Sequence, residues 1–123
     1  CQAEIGSASG MAAAAICSVR GGSKEQMGHA CAMALKNLMG LVCDPVAGLV
    51  EVPCVKRNVG GAVNALAAAD MALAGIASHI PVDQVIDAMG EVGMKMDVSL
   101  RETSMGGVAT SPKGLEIAER LGM

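Results

Sequence analysis

"RGGSKEQMGHACAMALKNLMG", residues 20–40, carries one complete helix with both ends written in residue chemistry. Arg20-Gly21-Gly22 interrupts whatever precedes it. Ser23 with Gln26 three residues on is a capping-box pattern, in which hydroxyl and amide each satisfy a free backbone N–H of the first turn. Glu25 sets a negative charge at the positive end of the helix dipole. Met27, Cys31, Ala34, Leu35 and Leu38 then recur at helical spacing and Gly40 supplies a stop, so the pattern predicts a helix ending at about Met39.

Working outward, residues 7–19 predict a small-residue helix that is apolar nearly all round and therefore buried. On the other side a third helix is expected at about 58–76, with Val59, Ala62, Val63, Leu66 and Leu73 as its inward face and Asn58, Asn64 and Asp70 interrupting it. Pro81 and Asp83 open a fourth, with Val85, Ile86, Met89, Val92 and Met96 turned inward. "ETSMGGVATSP", residues 102–112, reads as a loop whose last two residues are the N-cap and first position of a short final helix. Neither β-alternation nor a repeat period is present. The fold class is all-α: a compact bundle of about five helices joined by Gly/Pro-rich loops, forming one domain over residues 1–123.

The composition narrows the function classes. Hydrophobic residues make up 52% of the chain, yet it has no Phe, Tyr or Trp, while Gly numbers 16 and Met 10. The core must therefore be assembled from Ala, Val, Leu, Ile and Met, with methionine filling irregular gaps. A formal net charge of −3 offers no footprint for nucleic acid or an anionic membrane. No stretch is long and apolar enough to predict a transmembrane span. Five cysteines cannot all pair, and their spacing is not that of a small secreted scaffold, which points to a reducing cytoplasm. Patterned sequence starting directly at Cys1 raises the expectation that the chain is part of a longer polypeptide.

"CDPVAGLVEVPCVKRN", residues 43–58, poses the chemical question. Pro45 and Pro53 place Cys43 and Cys54 in irregular, restricted backbone rather than inside a helix. Cys17 and Cys31 fall within helical patterns and are expected to pack as small hydrophobes. Cys1, Cys43 and Cys54 share loop or element-terminal positions at C-x41-C-x10-C. That spacing has neither the tight pairs of a zinc site nor a ferredoxin run. A cubane cluster held by three cysteines would leave one iron free as a Lewis acid. Incidental loop cysteines are the competing reading, and spacing alone does not separate the two.

"CQAEIGSASGMAAAA" at residues 1–15, "MGLVCDPVAGLVEVPCVKRN" at 39–58 and "RETSMGG" at 101–107 together resemble the iron–sulfur-dependent L-serine dehydratases. The likeness is to the α chain of the two-subunit bacterial type, covers essentially the whole chain and corresponds to the C-terminal part of that α chain. The resemblance implies that Cys1, Cys43 and Cys54 ligate a 4Fe-4S cluster whose fourth iron binds L-serine. It implies a lyase that yields pyruvate and ammonia, works in the cytoplasm as an oligomer, and is completed by a β chain and the N-terminal part of the α chain.

Within that chemistry Arg57 is expected to pair with the substrate carboxylate and Lys56 to offset the negative cluster, making these two the candidate catalytic residues. Asn58 is a candidate N-cap or substrate contact. Ser7 and Ser9 are candidate donors to substrate or cluster sulfides, with helix capping as the alternative. His29 and His79 are the two histidines, and each is expected in a surface or helix-end role. The proton acceptor is then expected outside these 123 residues, leaving the chain inactive alone. Arg101 and Glu102 read equally as ion-pair partners or pocket residues. Rival functions are a related cluster-dependent lyase acting on threonine or cysteine and a non-catalytic helical interaction module. A pyridoxal-phosphate dehydratase is disfavoured, since no Gly-rich phosphate loop follows a strand.

Overall fold

The computed structural model describes residues 1–123 and is built from five α-helices with no strand. They are α1 (Ser7–Val19), α2 (Lys24–Leu38), α3 (Cys54–Leu73), α4 (Val82–Lys95) and α5 (Pro112–Arg120). A π-helical turn, Gln2–Gly6, leads straight into α1. Short 3-10 turns at Val46–Gly48, Val98–Leu100 and Gly107–Thr110 shape the loops. The expected all-α bundle is the architecture observed.

Local chemistry explains most helix ends. Ser23 Oγ accepts from the Gln26 N–H at 3.1 Å while the Ser23 N–H donates to Gln26 Oε1 at 2.9 Å, the reciprocal capping box. The end of α1 is a Schellman motif: the Gly22 N–H donates to Cys17 O at 2.8 Å and the Gly21 N–H to Ser18 O at 3.0 Å. Gly21 sits at φ 86°, a conformation that a Cβ would strain. Ser111 caps α5 through the Gly114 N–H, with Pro112 at the first position.

α3 departs from expectation at its start, its end and its inward face. It begins at Cys54, four residues before Asn58, and stops at Leu73 rather than near 76. Pro53 takes the N-cap position, where a missing N–H costs nothing. Asn58 is therefore not a cap; its amide donates to Cys54 O at 3.0 Å from inside the first turns. The buried face is Gly61, Ala65, Ala68, Ala69 and Ala72, whereas Val59, Ala62, Val63 and Leu66 point outward. Leu73 alone of the expected set packs against the core.

The reason is close approach. A Cβ on Gly61 would lie 2.6 Å from Cγ2 of buried Ile5, so valine and leucine cannot occupy this seam. α1, α2 and α3 meet through Ala13, Cys17, Ala30, Met33, Ala34, Ala65, Ala68, Ala69 and Ala72. Each alanine buries little more than a methyl, on the order of 0.8 kcal/mol, so cohesion comes from many short contacts rather than a few large side chains. The opposite face of α2 holds α4 through Ala32, Leu35 and Val85. Within α4, Ile86 is exposed instead of inward. α1 is likewise only half covered, with Met11 and Val19 exposed.

Candidate functional site

The π-helical turn places Cys1 at the positive end of a long helical run. Its neighbour Gln2 anchors it: the Gln2 amide donates to Met89 O at 2.9 Å and accepts from the Gly40 N–H at 2.8 Å. The Gln2 backbone N–H adds a bond to Leu41 O at 3.0 Å. One buried side chain thus ties the start of the chain to α4 and to the segment leading into Cys43.

Cys43 is held from the other side. Its N–H donates to Leu100 O at 2.9 Å and its carbonyl accepts from the Glu102 N–H at 2.8 Å, a single parallel bridge opposite Arg101. Ser104 Oγ donates to Pro45 O at 2.6 Å, fixing the next turn of "RETSMGG" against the same loop. Cys54, the first residue of α3, is buried. Burial pushes its thiol pKa up and the neighbouring Cys43 pushes it further; its own backbone N–H opposes the rise, Glu4 adds to it and Arg57 opposes it.

Arg57, one turn into α3, joins these pieces. Its Nη1 donates to Asp44 Oδ1 at 2.6 Å, to Val42 O at 2.9 Å and to Cys1 Sγ at 3.6 Å. Asp44 is 2% exposed against 21% for Arg57, so the pair is a buried carboxylate clasped by a guanidinium that still reaches the surface. The second carboxylate oxygen accepts from the Val108 N–H at 2.7 Å. Gly107 lies at φ 64°, and a Cβ there would run into that carboxylate. Asp44 and Gln2 are the site residues that sequence reasoning missed. A charged residue wedged between Cys43 and Pro45 in an apolar run was the available signal for Asp44; nothing local distinguished Gln2.

The other expected site residues are placed as follows. Ser9 is buried; its hydroxyl donates to Gly61 O at 2.7 Å and accepts from the Asn64 amide at 2.9 Å, which makes it a tie between α1 and α3. Ser7 is half-buried at the junction of the π turn and α1. Lys56 is exposed and makes no hydrogen bond or ion pair, and Asn58 is exposed on α3. His29 is half-buried in the middle of α2 and accepts the Ser78 N–H at 3.1 Å through Nδ1, rather than taking the surface or helix-end role expected for it, while His79 is exposed at φ 64°.

All five cysteines are free. No three His, Cys, Asp or Glu side chains lie close enough to share a single metal ion. A group that offers each cysteine a separate iron requires wider spacing than one ion does. Cys1 caps the π turn, Cys43 sits in the bridge opposite Arg101 and Cys54 opens α3, with the Arg57 guanidinium against the Cys1 thiol; thiols are donors of the right softness for iron. Beside Cys1 and Cys43 opens a cavity of about 380 Å³, also lined by Gln2, Glu4, Arg101 and Glu102.

Residues 1–109 match the family described as serine dehydratase alpha chain. The chain belongs to that family. It is 64% identical over 121 residues to the probable L-serine dehydratase alpha chain of Bacillus subtilis, covering 98% of this chain and 40% of that protein. The probable L-serine dehydratase alpha chain of Latilactobacillus sakei is 61% identical over 117 residues, covering 95% and 56%. The L-serine dehydratase alpha chain of Peptoniphilus asaccharolyticus is 55% identical over 117 residues, covering 95% and 40%. This serine dehydratase alpha-chain family member thus spans roughly half or less of the length of the curated relatives it matches. No helix in it is long and apolar enough to cross a membrane.

Proposed function

We propose that this chain is the cofactor-holding part of an iron–sulfur L-serine dehydratase, with Cys1, Cys43 and Cys54 as the ligands of a 4Fe-4S cluster. The observation that carries the reading is the reach of Arg57. From one turn beyond Cys54, its Nη1 contacts Cys1 Sγ and clasps the carboxylate adjacent to Cys43. Family membership and the names of the relatives supply the substrate and the reaction.

Dehydration of serine removes the Cα proton and expels the Cβ hydroxyl as water; the enamine tautomerises, takes up water and releases ammonia and pyruvate. When bound, the cluster supplies a Lewis-acidic iron that turns the serine hydroxyl into a better leaving group. The chain's own residues do the positioning. Gln2 and Arg57 hold Cys1, residues 100–102 hold Cys43, and the start of α3 presents Cys54. Arg57 is spent on Asp44, Val42 and Cys1, which favours a positioning task over gripping the substrate carboxylate. Neither imidazole lines the cavity, and with Glu4 and Glu102 placed to meet charge rather than the Cα proton, the proton acceptor is assigned to the rest of the enzyme. That remainder is the other part of the α chain and a β chain, in a cytoplasmic oligomer.

The test is anaerobic reconstitution of the complete enzyme, followed by iron and sulfide counts and a pyruvate assay. Cys1→Ser, Cys43→Ser and Cys54→Ser should each lose iron and turnover, because a neutral hydroxyl is a poor substitute for a thiolate. Cys17→Ala should retain iron. Full iron content and turnover in Cys43→Ser would end the cluster assignment.

A further inference from the structure

The cavity beside Cys1 and Cys43 carries three charged side chains: Glu4 from the π turn, and Arg101 and Glu102 from the segment bridged to Cys43. The chain's four ion pairs are Arg20–Asp70, Arg57–Asp44, Lys95–Glu91 and Lys113–Glu116. None of the three cavity charges takes part in them. One cation and two anions thus line one concave surface with no ion pair among them.

Their backbone is held in place. Both neighbours of Arg101 bond to Cys43, through Leu100 O and the Glu102 N–H. Glu102 sits at φ 66°, in the left-handed region that a glutamate occupies only when its surroundings impose it. In this conformation the Glu102 N–H bonds Cys43 O, so the bridge that holds Cys43 also fixes where Glu102 stands. Strain of this kind gathers where a side chain must be aimed. The volume, about 380 Å³, lies toward the low end of the roughly 300–1,000 Å³ typical of small-molecule sites.

We propose that this cavity recognises the zwitterion of an α-amino acid, Arg101 taking the carboxylate and Glu4 and Glu102 the ammonium. The inference rests on the dehydratase reading and assigns its substrate contacts to residues other than Arg57. A planar guanidinium matches a carboxylate with two parallel hydrogen bonds. The two glutamates complement the ammonium and repel a ligand that brings only a carboxylate, so the same charges that bind an amino acid reject a hydroxy acid. The remainder of the ligand is left toward the thiols.

The experiment uses the complete, reconstituted enzyme and three probes: L-serine, 3-hydroxypropionate (no ammonium) and ethanolamine (no carboxylate). Binding is measured by calorimetry and turnover by pyruvate release, with iron counted in every sample. Arg101→Gln should weaken L-serine roughly tenfold or more, the loss expected for a charge-assisted hydrogen bond, raising KM more than it lowers kcat. It should leave iron content unchanged and should not weaken ethanolamine, whose ammonium the guanidinium repels. Glu4→Gln and Glu102→Gln should weaken L-serine and ethanolamine and strengthen 3-hydroxypropionate. Unchanged L-serine affinity in Arg101→Gln, or equal losses for all three probes in every variant, would overturn the proposal. L-serine binding that responds to these variants in a protein that takes up no iron would sink the cluster reading and leave the cavity assignment standing.

Discussion

Arg57 Nη1 lies 2.6 Å from Asp44 Oδ1 and 3.6 Å from Cys1 Sγ, so one guanidinium arm reaches both an inner carboxylate and a thiol fifty-six positions earlier. Asp44 cannot be solvated, and Arg57 and the Val108 N–H are its partners. Removing one member of such a pair exposes the cost of the other. Asp44→Ala should lower unfolding free energy by about 3 kcal/mol, measured by urea denaturation, and Asp44→Ala with Arg57→Met should recover part of it. An Asp44→Ala loss below about 1 kcal/mol would mean that the pair behaves as a surface contact.

Arg20 and Asp70 provide the contrast. They form an ion pair with both side chains more than half exposed, 52% and 62%. Arg20→Ala should change stability by no more than about 0.5 kcal/mol, and raised salt should erase even that in the same urea titration.

Gly61→Ala tests the seam between α1 and α3. Helix propensity favours alanine by about 1 kcal/mol, but the new methyl meets Ile5 Cγ2, and overpacking costs about 1–3 kcal/mol. The net expectation is destabilisation in thermal melts. Combining it with Ile5→Ala should cost less than the sum of the two, because the second change removes the obstructing methyl.

Burial pushes the Cys31 thiol above the ordinary thiol range. Its protonated form is favoured in the folded chain, so this contribution is present below the ordinary thiol pKa and is lost as pH rises through the folded value. At neutral pH Cys31→Ala should cost roughly 1 kcal/mol for the lost packing. Denaturation midpoints at alkaline pH should show that gap closing, since only the wild type carries the penalised thiol. A gap that widens with pH would contradict the direction of the shift.

What the sequence made legible was what neighbours in sequence decide. The Ser23–Gln26 box and the Ser111-Pro112 start are contacts within one turn, and both stand where residue chemistry puts them. The face of α3 was misread because hydrophobic size was taken as the sign of burial. Here Gly61 and the alanines are inside because α1 comes so close, a fact held by Ile5 more than fifty residues away. The same holds for the site. Cys43 and Cys54 are marked by Pro45 and Pro53, but Gln2 and Asp44 act through partners 38 to 87 and 13 to 64 positions distant. No local pattern announces a buried polar residue that serves remote backbone.

The absence of Trp, Tyr and Phe has an optical consequence. With no Trp, Tyr or Phe anywhere in the chain, these residues leave the near-ultraviolet dark: no indole fluorescence, no phenol band, no aromatic circular dichroism. Folding of this segment is invisible to the usual emission probes and must be followed through the amide region. The same darkness makes it a clean window, because a near-ultraviolet or visible band in this chain cannot come from a Trp, Tyr or Phe side chain.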